Sequence, residues 1–134
     1  MLNKIVIRFL NGALIRGHTP DFDPDKEEFH IITRTKQGDQ SLMIHTNLLK
    51  AVFFVKDLNG NGNASLRRSF NEFKDIRTYG KKVKVEFLDG DILYGITNGF
   101  SVQGQGFFFD PIDKANNNER IFAVLTALKE ITFL

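Results

Sequence analysis

The side chains whose types and spacing suggest chemistry are three histidines and one acidic run, all in the first half of the sequence. Its three histidines are His18, His30 and His45, and "DFDPDKEE" at 21–28 brings Asp21, Asp23, Asp25, Glu27 and Glu28 together. Acidic residues at every second position suggest a calcium loop. An EF-hand loop wants glycine at its sixth position for a sharp turn and a bidentate glutamate at its twelfth. Counted from Asp21, those places hold Lys26 and Ile32, so the stretch reads as a solvated β-turn around Pro24. A catalytic or metal-bound histidine needs further ligands, or a carboxylate that orients its ring. Nothing in the spacing supplies either. "GQG" at 104–106 lacks the helix and spacing of a phosphate-binding loop and reads as a hairpin tip. The chain has no cysteine, hence no thiol nucleophile, thiolate zinc site or disulfide. The expectation is a protein that is not an enzyme and carries no cofactor and no metal.

The elements that hold these residues occur twice. "FLNGALIRGHTPDF" at 9–22 is answered by "FLDGDILYGITNGF" at 87–100. At an offset of 78, residues 5–33 align with 83–111 without a gap, setting Phe9 on Phe87, Gly12 on Gly90, Gly17 on Gly95 and Phe29 on Phe107. At 79, "LLKAVFFV" (48–55) falls on "ALKEITFL" (127–134). The histidines align with Ile96, Phe108 and Val124, which favours packing roles for them. Glycines and phenylalanines matching over this length indicate a tandem duplication.

Each copy reads as five short strands. Ile5, Ile7 and Phe9 alternate, as do Val83, Val85 and Phe87, with Lys82, Lys84 and Glu86 on the opposite face. Asn11-Gly12 and Asp89-Gly90 follow as two-residue hairpin signals of the type I′ kind. The second strands carry Gly17 and Gly95, where a strand bends or another backbone approaches closely. Third strands are expected at 28–33 and 106–110, fourth at 41–45 and 120–125, fifth at 51–55 and 130–134. The stretch 56–80 connects the copies, and Leu66, Phe70 and Phe73 within it fit one stripe of a short helix packed over a barrel end or seam.

Hydrophobic residues make up 42% and charged residues 25%, with 14 Phe, 2 Tyr and no Trp. Such a core is built from rings that need no polar partner. Net charge is +2, spread as +2 over 1–56, +1 over 57–80 and −1 over 81–134. A protein that holds nucleic acid through its phosphates shows a stronger, one-sided excess. No apolar run approaches a membrane span, and charges interrupt the apolar N-terminal stretch, so neither membrane span nor signal peptide is expected. The absence of cysteine fits a cytoplasmic location.

Strand, Asn/Asp-Gly turn, a strand with a central glycine, then an "Phe-x-x-x" loop and a further strand: this order resembles the first motif of Sm-like proteins. More broadly it is similar to SH3-like small barrels, over roughly 50 residues in each copy. It also resembles bacterial domains that carry "FLNG…L.G.T.DF.P" followed by "LKAVFFV", a set with no established activity. The Sm-like resemblance implies RNA binding through an Asp/Asn pair after the second strand and a late Arg-Gly pair. Asp23 stands for the acidic member, but the asparagine region holds Lys26, Glu27 and Glu28. The Arg-Gly place falls on "IHTN" (44–47) and "AVLT" (123–126). Carboxylates in that loop repel phosphates, so RNA is the disfavoured partner. "RR" at 67–68 invites comparison with the cyclic-di-GMP-binding PilZ domains, but Arg68 occupies the glycine place of their turn.

The sequence therefore predicts an all-β protein of two tandem five-stranded Sm-like/SH3-like barrels, residues 1–55 and 81–134, joined by a connector over 56–80. Its expected role is a binding or assembly module, partnered by an unknown protein or by itself, as a monomer with packed repeats or a homodimer. The alternative is an Sm-like RNA-binding protein. In the first copy Val6 and Phe53 fall on the outward face and want a cover. Val6, Phe53, Leu66, Phe70 and Phe73 form the candidate interaction surface, and the two repeats covering each other is the economical arrangement.

Overall fold

The computed structural model describes residues 2–59, 80–112 and 116–134; Leu66, Phe70, Phe73 and the predicted helical stripe lie outside them. Those residues form an all-β structure of ten strands. The first five are β1 (Asn3–Phe9), β2 (Leu14–Thr19), β3 (Glu28–Thr35), β4 (Gly38–His45) and β5 (Leu49–Val55). The second five are β6 (Lys81–Phe87), β7 (Ile92–Thr97), β8 (Gly106–Phe109), β9 (Asn118–Val124) and β10 (Leu128–Phe133). A 3₁₀ turn leads into β5 at Thr46–Leu48 and another into β10 at Leu125–Ala127. The strands lie where the alternation of the sequence puts them.

Two sheets result, of seven strands in the order β4-β3-β2-β1-β5-β9-β8 and of three in the order β10-β6-β7. A bridge between Ile96 and Asp110, with both backbone bonds at 2.9 Å, joins β7 to β8. Hydrogen bonding thus runs without a break from β4 to β10 through all ten strands. β5 lies inside the larger sheet, between β1 and β9. That position explains its composition: Leu49 to Phe53 are all buried, as a strand covered on both faces requires.

The pairing registers of the two halves correspond. Asn3 faces Thr19 and Ile5 faces Gly17, while Lys81 faces Thr97 and Val83 faces Gly95, an offset of 78 throughout. Ile5 faces Phe54 and Val83 faces Phe133, and each of these ladders shifts register where the first strand nears its turn. Phe29 faces Ile44 as Phe107 faces Ala123.

The hairpin turns differ from the expected type I′. A type I′ turn needs positive φ at both central residues, and among the described residues only glycines have it. Gly12 N–H donates to the Phe9 carbonyl and Gly90 N–H to that of Phe87, both closing four-residue turns. The glycine, with φ of 91° or 90°, then takes the left-handed conformation. This is the longer, bulged hairpin loop. Asn11 Oδ1 and Asp89 Oδ1 accept from the amides two residues on, Ala13 and Asp91, so the side chains hold the loop and need no left-handed backbone of their own.

Gly17 and Gly95 answer to close approach. A Cβ on Gly17 would run into the Ile32 carbonyl, and one on Gly95 into the Asp110 carbonyl and the Phe109 ring. Backbone oxygens cannot swing aside. Gly95→Ala is therefore expected to lower stability by about 2 kcal/mol, read as a fall in urea midpoint at unchanged slope. The alanine variant of exposed Gly99 is not a fair control, because its φ is positive.

Two apolar clusters fill the structure, and each draws on both halves. One joins Val83, Val85, Phe87, Phe107, Phe109 and Ile121 to Val6, Ala51, Phe53 and Val55. The other joins Ile5, Ile7, Phe29, Ile31 and Val52 to Phe122 and Val124. Alternation along β5 and β9 divides their side chains between the clusters.

Candidate interaction surface

The β5–β9 ladder is where the halves meet. Ala51, Val52, Phe53 and Phe54 face Ala123, Phe122, Ile121 and Arg120, and a bulge precedes the last pair, Val55 with Asn118. On one side of it lies a group of rings. Phe22 stands edge-on to Phe29, Phe54 and Phe122 at centroid distances of 5.0, 5.5 and 5.2 Å. Phe108 closes the group at 4.9 Å from Phe122, and the Arg120 guanidinium lies 3.8 Å above the Phe108 ring. Phe22 is carried by the turn after β2, which is pinned across the halves by Gln105 N–H donating to the Pro24 carbonyl.

A buried cation crosses the same junction. Lys50 Nζ donates to Asp89 Oδ2 at 2.8 Å and Asp91 Oδ2 at 2.9 Å, and sits 4.9 Å above the Phe87 ring. Its side chain is 8% exposed. Burial pushes the Asp89 carboxyl up, but the Lys50 ammonium and the Asp91 amide outweigh it and hold the group below the usual carboxylate range.

The acidic stretch forms a turn, with Lys26 N–H donating to the Asp23 carbonyl and Asp25 N–H to Asp23 Oδ1. Spacing alone did not reveal that the turn orients a histidine. Asp21 accepts from the His30 amide at 2.8 Å, and its other oxygen lies 2.7 Å from His30 Nδ1. Both side chains are largely open to water. Desolvation raises the Asp21 carboxyl, but the His30 amide and ring and the Thr19 hydroxyl bring it below its ordinary value. A depressed carboxyl contributes stability above its unfolded pKa and loses it as pH falls through the folded one. In an NMR titration Asp21 is expected to protonate below the ordinary aspartate value. Among the described residues, no three His, Cys, Asp or Glu side chains come together to hold a metal. His45 stands 3.8 Å from Glu28 and His18 is half-buried on β2, so the three histidines are not gathered into one site.

Val6 and Phe53 lie in the interior, in the cluster shared with Val83, Phe107 and Ile121. The second half covers them. What remains open are the two ends of the ten-strand path. Among the described residues, β4 pairs only with β3 and β10 only with β6. Met43 projects from β4 and is 53% exposed; Phe133 on β10 is 46% exposed. Phe100 stands 5.3 Å from Phe133 and is exposed with it, as are Val102 and Leu134. No helix among the described residues is long and apolar enough to cross a membrane.

The model of a family of unknown function, DUF6982, matches residues 1–134. The chain belongs to that family. No curated protein and no solved structure matches it. For this member of DUF6982, then, chemistry must be read from the molecule itself: two shared clusters, a buried ion group at the junction, and two open strand edges bearing apolar side chains.

Proposed function

We propose that this protein is a non-catalytic assembly module of two tandem Sm-like/SH3-like repeats, descended from one by internal duplication, that binds protein at its open edges. The observation that carries the reading is the pair of sheet-edge strands, β4 and β10, each with one edge unpaired among the described residues and each bearing an exposed large apolar side chain. Free backbone donors and acceptors beside such side chains accept an added strand, with affinity from the main chain and selectivity from the alternate side chains. The common registers, offset by 78 or 79, support the duplication. The carboxylates of the loop after β2 weigh against phosphate.

A photo-reactive amino acid placed at Met43 or Phe133 tests the reading in cells. Leu88, a turn residue 64% exposed, serves as the control for mere stickiness. Protein adducts at 43 and 133 in excess of 88 are the expected result. RNA adducts at the edges, or no excess over Leu88, would overturn it.

A further inference from the structure

We propose that copies of this chain associate head to tail, β10 of one adding to β4 of the next in the register that β5 adopts on β9. The inference rests on the two-repeat reading above and names the partner as a second copy. By the offsets that relate the halves, β10 occupies in the second half the place of β5, and β4 occupies in the first half the place of β9. Inside the chain those two places are joined. Among the described residues, the same two places are left open at the ends of the strand path.

Carried through the offset of 79, the observed pairs Val52–Phe122, Phe53–Ile121 and Phe54–Arg120 become Ile131–Met43, Thr132–Leu42 and Phe133–Ser41 between copies. The exposed apolar residues fall where that junction needs them. Met43 takes the place of Phe122, which is wholly buried, and Leu134, 62% exposed, that of Val55. Phe100 and Phe133 already touch, as Phe22 and Phe54 do at the inner junction. Between copies they would pack on Met43 and His30, the counterparts of Phe122 and Phe108. Sulfur beside an aromatic ring is a favourable contact. The loops agree as well: Gln105 N–H to the Pro24 carbonyl becomes Glu27 N–H to that of Val102, which is exposed.

The outer junction is the weaker one, and the departures from the repeat say why. Lys84, Glu130 and Thr132 stand where the inner junction has Val6, Ala51 and Phe53. Lys129, the counterpart of Lys50, would meet Asn11 and Ala13 in place of two aspartates. One face of the added strand is thus apolar and the other polar. Association is reversible and concentration-dependent. Because the contact is heterologous it propagates, closing into a ring or continuing as a filament according to the rotation per copy.

The test is light scattering on the full chain across a concentration series to about 1 mM, with two single-edge variants. Met43→Lys blocks β4 and Phe133→Lys blocks β10, each by a charge on an exposed edge position that the fold does not need. Denaturant midpoints close to that of the unaltered chain show that both are folded. The unaltered chain should rise in mean mass above its 15.3 kDa with concentration. Each variant alone should stay at one chain, and an equimolar mixture should give a two-chain complex and nothing larger, since one intact β10 and one intact β4 remain. A chain that stays at 15.3 kDa throughout overturns the inference. So does a variant that dimerises alone, which would mean like-with-like pairing. With either result, cross-links at Met43 and Phe133 to another protein would leave the assembly reading standing, and their absence would end both.

Discussion

Phe122→Ala is expected to lower stability by about 4 kcal/mol, the middle of the range for removing a fully buried ring. Phe122 lies on β9 yet packs among Ile5, Ile7, Phe29 and Val52 of the first half, with Phe22 and Phe108 against its ring. Truncation leaves a cavity that strands on both sides, held by continuous hydrogen bonding, cannot close. Phe122→Leu keeps most of the volume and should cost under about 1.5 kcal/mol. The sharper comparison is Met43→Ala. Met43 corresponds to it at an offset of 79 residues but is exposed, so its truncation at dilute protein should change stability by about 0.5 kcal/mol or less. Urea titrations of the three variants measure this directly. A loss below about 1 kcal/mol for Phe122→Ala would mean that the halves do not share a core. A fall in the urea slope alongside the loss would show the halves unfolding separately.

The places of the strands were legible because their signals are local. Period-2 alternation in "KVKVEF" (82–87) has no helical reading, and a glycine repeated at 17 and 95 marks one recurring backbone constraint. The turn type was not legible. Asn-Gly and Asp-Gly serve a two-residue loop and the bulged loop alike, and the choice is made by where the flanking strands stop pairing. Burial of Val6 and Phe53 followed from their chemistry, since an apolar pair on an outward face wants a cover. What covers them depends on β5 pairing with β9, a contact some 70 residues apart in sequence. The sequence did carry one unread signal for that contact. Apolar β4-type residues at Ile121 to Val124 are denser than their counterparts Leu42 to His45, as a strand paired on both edges demands. The Asp21–His30 pair and the Lys50 group were missed because both join residues from different strands or turns, where spacing says nothing about reach.

Lys50→Ala carries the second large effect, an expected loss of about 3 kcal/mol at neutral pH, at the low end for breaking a buried ion group. The low end applies because water reaches Asp89, whose side chain is 49% exposed, and screens it. Asp91 is 14% exposed and has no such relief, so removing the ammonium leaves it desolvated beside a like charge. The pH dependence follows from Asp89, whose folded pKa is depressed. Its contribution is complete above the unfolded value of about 3.9 and disappears as pH falls through the folded one. The gap between the unaltered chain and Lys50→Ala should therefore begin to narrow as pH falls below the unfolded value and go on narrowing as Asp89 takes up its proton in the folded chain. Urea midpoints taken across that window test the sign; a gap that does not change in acid would show that the lysine stabilises through its ammonium over the Phe87 ring and not through the carboxylates. Lys129→Ala, removing the exposed counterpart 3.3 Å from Glu86, should cost about 0.5 kcal/mol or less. The contrast bears on assembly. The two lysines, 79 residues apart in sequence, meet different partners: Lys50 two aspartates of the other half, Lys129 the Glu86 carboxylate of its own half. On the proposed assembly, the β5–β9 junction is held by a buried ion group, and a strand added at β10 would lack one.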